Sequence, residues 1–194
     1  MHIAAIFTLP YAIPFWLVFF FAFVREGRVI QGSFATTPSQ QDTGTFRALV
    51  IGSPLALVAA IAASFLPWLT IAWPDIAVVL GMALLIAGAV LRRLCFNALG
   101  KSFTGTVIVA RDQTIVQHGP YRFIRHPSYT AAFLMFIGIG LALCSWISLA
   151  ILFFAHCYLY GRRVAVEERA LLDTLGAPYH EYMLRTRRFI PFVI

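Results

Sequence analysis

Five apolar runs, of which the first three are about as long as a bilayer crossing and the last two are shorter, constrain the fold of this chain more than any other feature. They extend from Ile3 to Val24, Phe46 to Leu66, Ile76 to Cys95, Ser128 to Cys144 and Trp146 to Tyr160. A helix needs about 20 apolar residues to cross the hydrocarbon core. Because hydrocarbon offers backbone polar groups no water partner, such runs form helices. The sequence therefore predicts an all-α integral membrane helical bundle with about five transmembrane helices.

The composition agrees with a membrane protein and argues against a nucleic-acid partner. Hydrophobic residues make up 60% of the chain and charged residues 12%, whereas a soluble domain carries about 25% charged residues. All 15 lysines and arginines fall in three polar segments instead of on one basic surface helix. Such placement is typical of topology signals and of contacts with lipid headgroups. We therefore expect membrane lipids as partners and no nucleic acid.

The distribution of basic residues also predicts the orientation of the bundle. The segments from Arg25 to Arg47, from Arg92 to Arg125 and from Arg162 to the C-terminus contain three, six and six basic residues. The connectors near Pro67 and Ser145 contain none. Positively charged connectors stay on the cytoplasmic side of a membrane. Five spans with the N-terminus outside and the C-terminus in the cytoplasm satisfy this rule, and a site built from the polar segments then faces the cytoplasm.

Local signals predict how the first three runs begin, end and pack. Pro10 and Pro14 are expected to kink the first run, which is too long for a signal-peptide core and has no basic residue before it. The residues from Arg25 to Arg47 are rich in glycine and polar residues, so they are predicted to form a loop. Gly81 and Gly88 lie two turns apart on the third run, where they permit close contact with another helix.

The last two runs predict a helical hairpin with a tight turn at Ser145. The fifth run is expected to continue into water as a cytoplasmic helix from Gly161 to Leu175, which Gly176 and Pro178 then stop. The residues from Glu181 to Ile194 are predicted to form a basic tail. The polar pieces of the C-terminal half therefore all lie on one side of the membrane.

The longest polar interruption between the apolar runs contains H-G-P-Y-R-F-I-R-H-P-S-Y, from His118 to Tyr129. It holds two histidines, two arginines and two tyrosines next to the fourth run. Two interpretations stay open: an ordinary cytoplasmic loop that carries topology charges, or the floor of a polar site. Pro127 suits the first turn of the following helix, where a missing N–H is no loss. His126 is then either a capping-region residue or a proton-transfer group.

Arg163 and Glu167 are four residues apart on the predicted extension of the fifth run, which places both on one helix face. An exposed ion pair of this kind contributes little to stability. At a membrane boundary, however, charges are costly unless they are paired, which makes the pair a candidate for a functional site. Glu168 and Asp173 are expected to be solvated acids on the exposed part of this helix.

Several familiar kinds of site are absent from the sequence. It has no glycine-rich phosphate loop, no G-x-S-x-G elbow and no C-x-x-C pair. The three cysteines are isolated within apolar runs, and no histidine has a second ligand four residues away, so no metal site is predicted. A cofactor is therefore expected to bind against the helices and their cytoplasmic loops.

The motifs of the C-terminal half form a recognisable series. They are G-P-Y-R-F-I-R-H-P-S-Y, the hairpin that follows it, R-x-x-x-E-E, L-L-D-T-L-G-A-P-Y-H-E-Y and R-F-I-P. From about Phe103 to the C-terminus, the chain resembles the isoprenylcysteine carboxyl methyltransferase family, which is related to membrane phospholipid methyltransferases. The resemblance divides the chain into N-terminal transmembrane helices, residues 1–98, and a methyltransferase-like region, residues 99–194.

This resemblance implies transfer of a methyl group from S-adenosylmethionine to the carboxylate of a lipid-like, isoprenylcysteine-type substrate. In the family, the cofactor lies in a pocket covered by the connecting loop and the C-terminal helix. Arg163 matches an arginine that holds the substrate carboxylate, and Arg125 is a second candidate for that role. The positions that match cofactor-binding residues are Gln113, Thr114, Ile115, Val116, Tyr121, His126, Pro127, Ser128, Tyr129 and Glu167.

Other interpretations of the same residues stay open. The substrate is a lipid-like small molecule or a prenylated one that enters from the bilayer, and no oligomeric state is predicted. An amine or thiol acceptor would need deprotonation by Tyr121, Tyr129 or His126, whereas a carboxylate is already ionised at neutral pH. A reductase that uses NADPH in a similar pocket is a further alternative. A non-catalytic membrane packing or transport protein is the alternative from a different class.

Overall fold

The computed structural model describes residues 5–34, 42, 44–67, 69–100 and 114–190, with only the backbone given for residues 5 and 24–34. Its helices are α1 (Ala12–Phe34), α2 (Thr45–Ser64), α3 (Pro74–Leu99), α4 (Pro127–Ala142), α5 (Trp146–Leu175) and α6 (Ala177–Arg185). Short 3-10 helices at Ala5–Phe7 and Gly119–Arg122 precede α1 and α4.

This architecture confirms the prediction of an all-α membrane bundle. Among the described helices, α2, α3 and α5 are long and apolar enough to cross a membrane. The apolar part of α1, Ala12–Phe23, and the helix α4 are shorter than 18 residues. The count of five spans and their orientation therefore stay predictions.

Glycines bring α3 and α4 into close contact, as the spacing of Gly81 and Gly88 predicts. A Cβ atom built on Gly81 would lie 2.5 Å from the carbonyl oxygen of Gly138, and one on Gly88 would lie 2.6 Å from that of Ala131. These distances leave no room for a side chain. The two helix backbones therefore pack directly against each other, as small residues allow in membranes.

The helices α2, α3, α4 and α5 alternate in direction, so their ends fall into two sets. At one end, the connector between α2 and α3 pairs with the α4–α5 turn. The Ile71 N–H donates to the Cys144 carbonyl at 2.9 Å, and the Trp146 N–H donates to the Leu69 carbonyl at 3.0 Å. This end contains the tight hairpin that the sequence predicts. At the opposite end, the beginnings of α2 and α4 meet the end of α3 and the C-terminal part of α5.

The outer surface of the bundle is apolar. Large exposed apolar side chains include Leu17, Phe20 and Phe21 on α1, Ile51, Leu55 and Val58 on α2, Ile76, Val79 and Val90 on α3, and Phe154 on α5. Water-soluble monomers rarely expose contiguous apolar surface of this extent. Lipid chains are therefore the solvent that suits this surface.

The first helix differs from its prediction at both ends. It begins at Ala12, so Pro10 precedes it and Pro14 lies in its first turn, where proline causes no kink. It ends at Phe34, so the prediction of a loop from Arg25 was wrong for residues 25–34. Extending an existing helix adds one hydrogen bond for each residue fixed, and this outweighs the weak loop signal of isolated glycines.

The fifth helix confirms the predicted extension to Leu175. Its 30 residues correspond to about 45 Å, more than the roughly 30 Å of the hydrocarbon core. Gly176 ends the helix with a φ of +60°, a conformation that favours glycine. The first residues of the basic tail are helical, because α6 begins directly after Gly176 with Pro178 in its first turn and continues to Arg185.

Candidate active site

A cluster of polar side chains lies where α2 and α4 begin and where α3 ends. Four of its members, Asp42, His126, Arg163 and Glu168, are at most 6% exposed. Buried charges persist in proteins only when they have partners. The partners divide the cluster into two networks, the Arg163 network and the Glu168 network.

The Arg163 network joins α2, α4 and α5. The Tyr129 hydroxyl donates a hydrogen bond of 2.7 Å to Oε2 of Glu167 and accepts one of 3.2 Å from Nε of Arg163. Nη1 of Arg163 donates to Oδ1 of Asp42 at 2.5 Å and to the Thr45 hydroxyl at 2.9 Å. Arg163 and Glu167 therefore both face the residues of the His118–Tyr129 motif, and they are not an isolated surface ion pair.

Asp42 is held in place by the beginning of α2. Its Oδ1 accepts hydrogen bonds from the Thr45 hydroxyl at 2.5 Å and from the Phe46 backbone N–H at 3.2 Å. An aspartate at this position satisfies an N–H that would otherwise lack a partner within the helix. Because the same oxygen binds Arg163, the beginning of α2 places a carboxylate against the guanidinium.

Glu168 is buried, so the prediction that it is a solvated acid was wrong. Its Oε1 accepts a hydrogen bond of 2.9 Å from Nε of Arg125 and lies 3.2 Å from Nε2 of His126. Its Oε2 accepts a hydrogen bond of 3.0 Å from Nε of Arg188. Successive residues on a helix point about 100° apart. Glu167 and Glu168 consequently enter different networks.

Arg125, the second candidate for the substrate carboxylate, has internal partners. Besides Glu168, its Nη1 donates to the carbonyl oxygens of Met183 and Thr186, at 3.0 and 2.5 Å. Its side chain is only 9% exposed. Through these contacts Arg125 ties the motif to the end of α6. A role in substrate binding stays a prediction.

The C-terminal residues run along the motif. The Arg125 N–H donates to the Arg187 carbonyl at 2.7 Å. The Tyr182 hydroxyl, on α6, donates to the Tyr121 carbonyl at 2.7 Å. Burial raises the pKa of Tyr182 to about 12, so its hydroxyl keeps the proton that it donates. The segment expected to be a basic tail therefore holds the motif in place.

Two further predicted cofactor residues lie at the beginning of α4. Pro127 occupies the first turn of the helix, as predicted. The carbonyl and hydroxyl oxygens of Ser128 both accept hydrogen bonds from Nη1 of Arg92, at 2.8 and 2.9 Å. Through this contact the end of α3 is attached to the motif. Their roles toward a cofactor stay predictions.

The predicted cofactor residues upstream of the motif are only partly described. Thr114 is exposed, and Ile115 and Val116 are partly buried in a segment without regular secondary structure. Gln113 lies outside the described residues, as does the rest of the predicted covering loop from residue 101. The structure thus brings Tyr129, Arg163 and Glu167 together, whereas the upstream segment stays a prediction.

Comparison with known proteins finds a family that resembles the region that carries the motif. The model of the isoprenylcysteine carboxyl methyltransferase (ICMT) family matches residues 79–173, from α3 through most of α5. In this region the chain is similar to the isoprenylcysteine carboxyl methyltransferase family. The match contains every residue predicted to bind cofactor or substrate, from Gln113 to Glu167, but not Asp42.

Named relatives share this part of the chain. The protein-S-isoprenylcysteine O-methyltransferase of Saccharomyces cerevisiae is 35% identical over 117 residues, which cover 59% of this chain and 49% of the relative. The probable protein-S-isoprenylcysteine O-methyltransferase of Oryza sativa subsp. indica is 30% identical over 115 residues, or 58% of this chain and 60% of the relative. The chain therefore spans about half of the first relative's length and 60% of the second's.

A solved membrane-protein structure shares the fold. It is that of the eukaryotic intramembrane Ras methyltransferase ICMT without a monobody, with a TM-score of 0.56 and 26% sequence identity. The similarity covers 82% of this chain and 55% of the solved chain. Residues 79–194 make up about 60% of the chain, so a likeness over 82% of it also includes part of the N-terminal region before residue 79.

Two buried acids of the cluster had no assigned role in the sequence-based prediction. Asp42 stands in a Ser/Thr/Gln-rich segment just before a helix, a pattern typical of a capping residue. That pattern predicts the contact with α2 but not the contact with Arg163. Glu168 follows Glu167 directly, so one of the two acids had to face away from the Arg163 face. The basic residues Arg187 and Arg188, further along the sequence, indicated that a positively charged partner for Glu168 was available.

Proposed function

We propose that this chain is an integral membrane methyltransferase that uses S-adenosylmethionine to O-methylate the carboxylate of a lipid-like, isoprenylcysteine-type acceptor. One observation carries the proposal: Tyr129 of the motif binds Arg163 and Glu167 through a single hydroxyl. The names of the relatives, which are O-methyltransferases acting on isoprenylcysteine, support the reaction class.

The side chains of the Arg163 network suit a cationic methyl donor. Among the described residues, the network contains two carboxylates, Asp42 and Glu167, and one guanidinium. S-adenosylmethionine has a sulfonium and an α-ammonium, and Glu167 is placed to pair with the ammonium. The ring of Tyr129 adds a π surface that attracts cations. These residues would hold the cofactor.

The proposed chemistry needs orientation and no general base. When bound, S-adenosylmethionine supplies a methyl group that forms a C–O bond with the carboxylate as its S–C bond breaks, which leaves the bonding electrons on sulfur. The acceptor carboxylate is ionised at neutral pH, so no residue has to remove a proton. The planar guanidinium of Arg163 orients the carboxylate. Orientation of this kind lowers barriers by up to about 7–11 kcal/mol.

An amine or thiol acceptor suits the same residues less well, because such an acceptor has to lose a proton. Burial raises the pKa of Tyr121 far above its ordinary value, so this phenol is a poor proton acceptor at neutral pH. The Tyr129 hydroxyl already donates to Glu167. A rate that rises steeply with pH around neutrality would support an amine or thiol acceptor, whereas a carboxylate acceptor predicts a flat profile.

The site is proposed to face the cytoplasm, with the acceptor entering from the bilayer. Arg92, Arg125 and Arg188 all take part in the contacts around it. Basic residues accumulate on the cytoplasmic side of membrane proteins. A lipid-like acceptor would reach the site from the hydrocarbon while its carboxylate stays at the polar end of the bundle.

Purified protein in detergent tests the proposed function. S-adenosylhomocysteine should raise the thermal unfolding temperature and NADPH should not, and labelled methyl groups should appear on N-acetyl-S-farnesyl-L-cysteine. Arg163→Ala and Glu167→Ala should each lower kcat/KM by about 10²- to 10³-fold, the usual loss when one preorganised polar contact is removed. Arg162→Ala is the matched control, because Arg162 contacts the exposed Tyr158.

Each contrary result points to a different conclusion. Stabilisation by NADPH in place of S-adenosylhomocysteine would favour a reductase. Stabilisation by neither would favour a non-catalytic membrane protein. Full activity of both Arg163→Ala and Glu167→Ala would remove the assignment of these residues.

A further inference from the structure

We propose that Asp42 is a counter-ion that limits how tightly Arg163 holds the acceptor carboxylate, and thereby keeps that carboxylate reactive. The inference rests on the proposed function and concerns a residue outside the part of the chain matched by the family model, residues 79–173. Asp42 is a positioning residue in this proposal, since it acts on the acceptor through Arg163.

The geometry makes Asp42 a close and buried partner of the guanidinium. The two side chains are 9% and 3% exposed, so water screens their attraction weakly. Asp42 does not depend on Arg163 for its position, because the Thr45 hydroxyl and the Phe46 N–H also hold its Oδ1. An acceptor carboxylate that binds Arg163 therefore shares the guanidinium with a carboxylate that is already fixed beside it.

The sharing of Arg163 between Asp42 and the acceptor affects the reaction rate, because charge is lost during methyl transfer. Methyl transfer from a sulfonium to a carboxylate removes one positive and one negative charge. A cation that binds the carboxylate tightly therefore stabilises the ground state more than the transition state, in which the negative charge is already reduced. Only interactions that strengthen in the transition state accelerate a reaction. By offsetting part of the charge on Arg163, Asp42 weakens the ground-state attraction between the guanidinium and the acceptor carboxylate. The guanidinium still orients the acceptor.

The same arrangement favours release of the product. The methyl ester is neutral, so it competes with Asp42 for the guanidinium less well than the acid does. Asp42 also keeps Arg163 paired once the acceptor charge is gone, and a buried charge without a partner would be strongly destabilising. Asp42 therefore discriminates between the acid that enters and the ester that leaves.

Asp42→Asn tests the proposal, because it removes the charge and retains an oxygen that accepts hydrogen bonds. Binding of N-acetyl-S-farnesyl-L-cysteine and of its methyl ester is measured in detergent without cofactor. The Kd of the acid should fall about fivefold or more, the usual lower range for coupled sites. The Kd of the ester should change by less than about twofold, because the ester carries no charge to couple. In methyl transfer, kcat and KM should both fall, the pattern expected when a mutation strengthens ground-state binding.

A matched control is available at the other end of the bundle. Asp75→Asn makes the same chemical change at an exposed residue near the start of α3, where Asp75 accepts a hydrogen bond from Tyr11. It should leave the binding of acid and ester unchanged. If Asp42→Asn does not fold, Asp42→Ser is used, since serine retains the helix-capping oxygen and also lacks the charge.

The possible failures are distinguishable. If the wild-type protein methylates the acid but a folded Asp42→Asn variant binds the acid with equal or lower affinity, the role of Asp42 is overturned and the proposed function stands. The same holds if KM rises or kcat is unchanged. If the wild-type protein neither binds nor methylates the acid, the proposed function fails and the role of Asp42 fails with it.

Discussion

At the scale of single residues, Tyr129 connects the functional groups of the site. It lies in the first turn of α4, and its ring centroid is 5.4 Å from that of Tyr160 on α5. From there its hydroxyl reaches both the carboxylate of Glu167 and the guanidinium of Arg163. One hydroxyl thus serves as donor and acceptor at once, and it sets the position of the Glu167 carboxylate relative to the Arg163 guanidinium.

Replacing Tyr129 with phenylalanine should therefore loosen both partners without removing the ring. The free energy of unfolding should fall by about 1–3 kcal/mol, because two partly buried polar groups lose a partner. The affinity for S-adenosylhomocysteine should fall about tenfold, which corresponds to about 1.4 kcal/mol. Thermal unfolding and calorimetric titration in detergent measure the two effects. Tyr158→Phe is the control, since Tyr158 is exposed on α5, and wild-type affinity in Tyr129→Phe would contradict this role.

At the scale of elements, the segment from α6 to Ile190 packs against the motif and holds it in position. Glu168 lies at its centre, between Arg125 of the motif and Arg188 of the C-terminal segment. Backbone hydrogen bonds from Arg125 and His126 to the carbonyls of residues 187 and 188 continue the contact. The beginning of α4 therefore depends for its position on residues about 60 positions later in the chain.

Removing the charge of Glu168 should weaken the contact between the C-terminal segment and the motif. In Glu168→Gln, two arginines lose a buried anionic partner, and breaking a buried pair in this way costs about 3–5 kcal/mol. We expect a correspondingly lower free energy of unfolding and faster hydrogen exchange at the N–H groups of Arg125 and His126. Glu181→Gln is the matched control, because the Glu181–Arg185 pair is exposed and its charged atoms are 3.7 Å apart. Unchanged exchange in Glu168→Gln would show that the backbone contacts hold the segment without this carboxylate.

At the scale of the whole molecule, the bundle has two chemically different ends. One end carries the connector between α2 and α3 and the α4–α5 turn, which contain no lysine or arginine. The other end carries the Arg163 and Glu168 networks. Exposed apolar side chains surround the helices between these ends. The positive-inside rule predicts that the basic end, and with it the candidate site, faces the cytoplasm.

This orientation predicts the behaviour of reporter fusions in bacterial cells. A C-terminal fluorescent protein should be fluorescent and a C-terminal alkaline phosphatase inactive, because the C-terminus should lie in the cytoplasm. An N-terminal phosphatase and one inserted at Leu69 should both be active, because both positions are predicted to lie outside the cytoplasm. An active C-terminal phosphatase would contradict the orientation. Reporters showing both termini on one side would contradict an odd number of spans.

Local chemistry determined much of this fold from the sequence. The apolar runs predicted the membrane helices, Gly176 predicted the end of α5, and the spacing of Gly81 and Gly88 predicted a close helix contact. The four-residue spacing of Arg163 and Glu167 placed both on one face of α5. These features are readable because helix periodicity, turn conformation and burial in lipid depend on residues that are near each other in the chain.

Only the tertiary structure decided which charges are buried and what they bind. Asp42 meets Arg163 across 121 positions, and Arg125 meets Glu168 across 43. No local pattern distinguishes Glu168 from a solvated acid, because its burial depends on the C-terminal segment folding back over α5. The partner of a charge is set by which helix ends come together, and that is a property of the packed bundle.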